Sequence, residues 1–177
     1  MAVEPWLRGT LTEVGAVQRA VLHAMEMAQE DLELWCGGLS DDEVNARPYG
    51  IAPVAFHLRH IVRSLDRLLT YAEGGQLSAE QLASMKEELD GGATRAGIFD
   101  ELKVGIEQAK QRVMAFTPES LEEPRGVGRK MLPTSVGGLL VHCADHTLRH
   151  VGQAITTAKV VAGMRQAEFG ETLVGRE

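Results

Sequence analysis

The sequence is poor in most features that would announce a partner. Its two cysteines, Cys36 and Cys143, cannot build a disulfide framework and suit a reducing compartment. Aromatic residues make up 5% of the chain, so any core must be filled mainly by Leu, Val, Ala and Met. Basic residues are outnumbered 25 to 18, giving a formal charge of −7, and no Lys/Arg run interrupts that balance. Such a surface is a poor match for nucleic acid or an anionic membrane, whose phosphates need cations opposite them. No apolar run approaches the roughly 18 residues of a membrane span, and the opening MAVEPWLRGT lacks the basic-then-apolar order of a signal peptide. Strand-like alternation, internal repeats and low-complexity tracts are missing too. These absences point to a cytoplasmic chain with neither nucleic acid nor membrane as partner. Its 177 residues, 44% apolar, suffice for one compact domain over 1–177.

What is present has helical spacing. Val14, Val17, Val21, Leu22, Met25, Ala28, Leu32 and Trp35 predict a first helix from about Thr12 to Trp35, after a short lead-in and stopped by Gly37-Gly38. Val54, Leu58, Ile61, Leu65, Leu68, Leu69 and Ala72 predict a second, from about Ile51 to Glu73. Pro53 is tolerated in its first turn, and Arg59, Arg63 and Arg67 form its solvated side. Ile98, Leu102, Ile106, Ala109, Val113 and Phe116 mark a third over about Arg95 to Phe116. Val136, Leu139, Leu140, Cys143, Val151, Ala154, Ala158 and Val161 mark a fourth over Thr134 to Gly163, with a polar tail beyond. Ser40, with Glu43 three residues on, and Ser78 read as caps of two minor helices, the second a polar surface helix over Ser78–Leu89. Asn45–Gly50 and Ser120–Pro133 read as loops. The sum is all-α: a four-helix bundle whose inter-helix loops of about 14–20 residues are too long for the simplest up-down design.

Histidine is concentrated where chemistry needs it. Of the six, His57 and His60 fall on the second helix and His142, His146 and His150 on the fourth. The last three, at i, i+4 and i+8, stack along one face beside the apolar stripe, drifting about 40° per step. Imidazoles four residues apart, with Cβ atoms about 5–6 Å from each other, can hold one ion. Neutral imidazole suits Zn, Ni, Fe or Co, and three of them with open positions make a catalytic metal site; within a bundle the ligands come from facing helices. Asp66 and Asp145 are near, but no Glu-x-x-His pairing of the di-iron kind occurs, which favours a single ion. Spacing leaves the second-helix donor open. His57 lies nearer the apolar centre by angle, as a core histidine would, whereas His60 has Ile61, Leu65 and Leu69 at +1, +5 and +9. His142 reads as a pocket residue or a plain helix-edge histidine, and Gln153 as a site hydrogen-bonder or a packing residue. Tyr49 and Tyr71 are candidate donors to a substrate. Cys143 reads as inert core filler, and His23 as structural or surface.

P-V-A-F-H-L-R-H-I (53–61) and H-T-L-R-H-V-G-Q (146–153) resemble the DinB-like family of metal-dependent four-helix-bundle enzymes, and the likeness spans most of the chain in helix order. The resemblance implies one ligand histidine midway along the second helix and two from an H-x-x-x-H motif, commonly followed by x-G-Q, on the last. His146 and His150 match that motif, with Gly152-Gln153 trailing. On the second helix the family's histidine precedes an aliphatic residue, which fits His60 before Ile61. Many members carry Arg after the second histidine of the last helix; Val151 stands here, a departure that bears on any anion contact from that position.

By that resemblance His60, His146 and His150 hold one divalent ion, Zn or Ni, with positions left open for water or a thiolate. The implied activity is thiol S-transfer, with a small-molecule substrate and a low-molecular-weight thiol, or metal-dependent hydrolysis. No general base stands out in the sequence, which sustains a second reading: a stress-related binding or sensor module whose metal is structural or ligand-gated. A third is a metal-free bundle acting through dimerisation. Val17, Val21 and Trp35 put apolar groups at more than one angle on the first helix, so a homodimer is expected, with the histidine cluster open at the bundle's mouth.

Overall fold

The computed structural model describes residues 3–174, with side chains described through residue 166. Its helices are α1 (Ala16–Cys36), α2 (Asp41–Asn45), α3 (Val54–Ala72), α4 (Ala79–Ser84), α5 (Arg95–Met114) and α6 (Val136–Val174). A hairpin of β1 (Pro124–Val127) and β2 (Leu132–Ser135) precedes α6. The four long helices form a ring in which α1 packs on α6, α6 on α3, α3 on α5, and α5 closes back on α1.

Pairs along the seams fix the directions. His57 meets His150 and His60 meets His146, so α3 and α6 run antiparallel. Arg63 meets Glu101 and Glu73 meets Arg112, so α3 and α5 run parallel. Gln18 reaches Phe116 and Gln29 reaches Lys110, so α1 opposes α5. The order is therefore up, down, down, up. Successive long helices are either diagonal in the ring or parallel neighbours, and neither relation can be bridged by a tight turn. That is why the connections are long.

The apolar faces legible in the sequence are the ones that pack: Leu58, Ile61, Leu65 and Leu69 of α3 and Val136, Leu140, Cys143, Val151 and Ala154 of α6 are all buried. Trp35 is the exception, 47% exposed with Lys159 Nζ 4.0 Å above its ring. Several boundaries move. Pro53 is the extended residue before α3, not part of its first turn. The last helix continues past Gly163 to Val174, and of the expected polar tail residues 175–177 lie outside the described residues. The capping box at Ser78 and Gln81 forms, but α4 stops at Ser84 because the following turns bring Glu88 inward. Residues 124–133, expected to be loop, and Thr134 and Ser135, expected to open the last helix, hold an antiparallel pair with Pro124 opposite Ser135 and Val127 opposite Leu132. Strands this short, each with a proline on a ribbon that is all edge, leave no alternation to read.

α3 and α5 come close at Gly105, where a Cβ would lie 2.5 Å from Val62 Cβ. An exposed helical Gly→Ala change ordinarily stabilises by about 1 kcal/mol. Here Gly105→Ala is expected to destabilise by about 1–3 kcal/mol through overpacking, and a second change, Val62→Ala, should recover part of the loss. Urea unfolding of the three variants checks this; a more stable Gly105→Ala would contradict the close approach.

Candidate metal centre

α3 carries a polar line into the bundle. His57, His60, Ser64 and Arg67, spaced three, four and three residues apart, share one face of the helix. α6 runs antiparallel beside it and presents His142, His146 and His150. The structure brings His60, His146 and His150 together: one nitrogen from each lies within 4.8 Å of the others, and all three residues are half-buried. The Nε2 atoms of His60 and His146 stand 3.4 Å apart.

The remaining ring nitrogens are engaged. His60 Nδ1 is 2.6 Å from Glu88 Oε2. His146 Nδ1 is 3.3 Å from Ser64 Oγ, whose own hydrogen goes to the Ile61 carbonyl at 3.0 Å. His150 Nδ1 is 3.0 Å from His57 Nδ1. The tautomers follow from these partners. An ionised carboxylate and a serine oxygen with its hydrogen committed can only accept, so His60 and His146 donate from Nδ1. The His150–His57 contact joins two neutral imidazoles and either ring can donate in it; with His150 donating, its Nε2 is free as well. Each Nε2 is then a bare lone pair, and two of them face each other. Facing lone pairs repel unless a cation lies between. Two nitrogens 2.0–2.1 Å from a tetrahedral ion would stand about 3.4 Å apart, which is the spacing of His60 and His146. The donor set fits a divalent ion and could bind one.

Burial pushes His57 down to about 4, helped by the charges of His150 and His60 when those are protonated. His146 and His150 are likewise held at about 4, again by burial first and then by neighbouring imidazoles and Arg149. These groups stay neutral, the form a metal needs, well below pH 7. Glu88 stays below the usual carboxylate range. Burial works against that, but the hydrogen bonds from His60 and Arg67 outweigh it.

The other candidates separate. His57 is buried behind His150, and the Phe56 ring stacks on His60 with centroids 5.4 Å apart. His142 is at the rim, its Nδ1 3.6 Å from Asp145 Oδ2. Gln153 is exposed and lines a cleft of about 580 Å³ with His57, Phe56 and Arg149. Tyr71 lines a second cleft, about 370 Å³, that reaches His60 and His146 and is bounded by Leu82, Met85 and Arg129. Tyr49 is 89% exposed. His23 is buried, with Nε2 3.1 Å from Thr10 Oγ1. Burial pushes the Cys36 and Cys143 thiols up to about 12, so both are inert.

Sequence reasoning missed Glu88, Ser64, Phe56 and the role of Arg67. Arg67 is not solvated; it is 8% exposed and bonded to Glu88 at 2.8 Å. Arg59 and Arg63 also turn back, both pairing with Glu101. Ser64 and Arg67 could have been found as polar residues in register with His57 and His60. Glu88, in a stretch without periodicity, left no signal.

Four long helices with an imidazole cluster on one antiparallel seam define a helical bundle with a three-histidine site. The chain belongs to the DinB superfamily, whose model matches residues 24–154, a span that includes His60, His146 and His150. Among solved structures, a protein described as a conserved protein of locus from Enterococcus faecalis shares the fold. It has a TM-score of 0.69 at 20% identity, and the match covers 85% of this chain and 99% of that one. No curated protein matches the chain. Among the described residues, no helix is long and apolar enough to cross a membrane.

Proposed function

We propose that the chain is a metal-dependent enzyme in which His60, His146 and His150 hold one divalent ion, Zn or Ni, and a small thiol or a water is activated against a small electrophile. One observation carries the reading: a nitrogen of each of the three rings lies within 4.8 Å of the others, and each Nδ1 has a partner of its own, so that the Nε2 lone pairs can be left for an ion. Membership of the DinB superfamily supports it. When bound, such an ion lowers the pKa of a thiol or water in an open position and polarises an electrophile. The chain's own residues do the rest. Glu88, Ser64 and His57 fix the ring orientations, and Phe56 shields the imidazoles. The cleft beside His60 and His146 offers Leu68, Leu77, Leu82 and Met85 to an apolar body. Thiol transfer needs no further base once the thiol is ionised. Hydrolysis, the second reading, is favoured by His142, which stands beside His146 with centroids 5.4 Å apart and can take up a proton from water.

The reading also takes the chain as a cytoplasmic homodimer. Val21 is 1% exposed and belongs to the core, so on α1 the exposed large apolar side chains are Leu34, at 73%, and its neighbour Trp35. In a two-fold dimer the same patch serves both chains. Elemental analysis and light scattering on one purified, metal-replete sample are expected to give about one divalent ion per chain and twice the 19.2 kDa chain mass. A panel of thiols with small electrophiles, run beside ester and amide substrates, separates transfer from hydrolysis. Protein without bound transition metal would overturn the enzyme reading, and a single-chain mass would overturn the dimer alone.

A further inference from the structure

From Glu73 to Gly92 the chain crosses the outside of the bundle between α3 and α5, and only one residue of that stretch is buried: Glu88, 5% exposed. A carboxylate is an unexpected anchor, since taking it out of water is unfavourable unless both oxygens find donors. They do. Arg67 Nη1 donates to Oε1 at 2.8 Å and His60 Nδ1 donates to Oε2 at 2.6 Å. Three more arginines hold the backbone of the same stretch: Arg63 to the Ser84 carbonyl at 2.9 Å, Arg47 to that of Leu89 at 2.9 Å, and Arg59 to that of Asp90 at 2.6 Å. The segment is fastened by polar bonds, and the deepest of them ends on an imidazole of the histidine cluster.

We propose that residues 73–92 are a clasp, and that its docking through Glu88 and cation binding at His60 are one coupled equilibrium with Glu88 as the positioning residue. The proposal rests on the metal reading of His60, His146 and His150. With Glu88 seated, His60 keeps its hydrogen on Nδ1 and its lone pair on Nε2, facing His146. With Glu88 withdrawn, the ring is free to turn and to exchange tautomers, and Arg67 loses its buried partner. A cation on Nε2 draws electron density from the ring and makes Nδ1–H a stronger donor, which tightens the clasp. Linkage requires the reverse as well: a seated clasp tightens the cation.

The test uses the full chain with Zn(II) as probe, read by chelator competition, by amide hydrogen exchange over residues 85–90, and by nitrogen NMR of the His60 ring. Zn should slow exchange over 85–90 in the wild type. Glu88→Ala should weaken Zn about 10–100-fold, abolish that protection and mix the His60 tautomers, while still taking up one ion at saturation. Glu88→Gln, which can accept from Nδ1–H without the charge and preserves the packing, should fall between. A purely structural Glu88 would lower stability without moving the tautomer or the Zn-dependent exchange. If Zn binds and both variants hold it as tightly as the wild type, or if Zn leaves exchange at 85–90 unchanged, the clasp is overturned and the metal reading stands. A wild-type chain that takes up no Zn overturns both.

Discussion

His146→Ala and His150→Ala should each empty the site, taking bound divalent metal from about one ion per chain to background, and His60→Ala should do the same. Each change removes one of three clustered ring-nitrogen donors, and two imidazoles leave the ion mostly to water. His57→Ala should keep the stoichiometry and weaken the ion about 10–100-fold, because His57 touches the cluster through His150, Nδ1 to Nδ1 at 3.0 Å. Elemental analysis after gel filtration, followed by chelator competition on variants that retain metal, gives both quantities. The informative failure is a reversal. If His57→Ala empties the site while His60→Ala does not, the cluster is built around the other α3 histidine.

Acid should destabilise the metal-free protein through the same residues. His57, His146 and His150 sit at about 4 in the folded chain, against about 6.5 unfolded. The folded value is the lower one, so between about pH 6.5 and 4 the unfolded chain binds protons that the folded chain refuses, and stability falls as pH falls. Above about pH 7 all forms are neutral and the three groups add no slope. Within the window each contributes at most about 1.4 kcal/mol per pH unit, less for the half-exposed His146 and His150. Urea midpoints of metal-free protein from pH 7.5 to 5 measure the slope, and His57→Phe should flatten part of it; a flat wild-type profile would contradict the shifts. The loaded protein should keep its ion below the pH at which a free imidazole protonates, with release displaced toward about pH 4–5.

Much of this was legible before the structure, for reasons that differ by element. The stripes of α3, α5 and α6 are long and regular, and burying them on one another decides the fold whatever the loops do. The cluster was legible because His142, His146 and His150 repeat at four residues, and because two short stretches resemble a family with a histidine at the place of His60. What stayed hidden depends on contacts between distant segments. Glu88 reaches His60 across 28 residues. The α4 region has the propensity of one longer polar helix, but the bonds of Glu88 to Arg67 and His60 outweigh it. The hairpin at 124–135 was invisible for the opposite reason, as it is too short and too proline-bearing to show a period. Trp35 looked like core by spacing, yet it lies in the last turn of α1, where its ring meets Lys159 instead.

The antiparallel seam of α3 and α6 joins positions that are remote along the chain: His60 and His146 are 86 residues apart. A cation shared between them would be a removable cross-link closing a loop of that length, and only the folded chain could hold it fully. Binding to the folded state alone stabilises by about 2.7 kcal/mol when free ligand is a hundred times its Kd. Stripping the ion would therefore lower the melting temperature as well as remove any chemistry the ion supports. Loss of activity on chelation would speak about mechanism only at temperatures well below the melting point of the stripped protein.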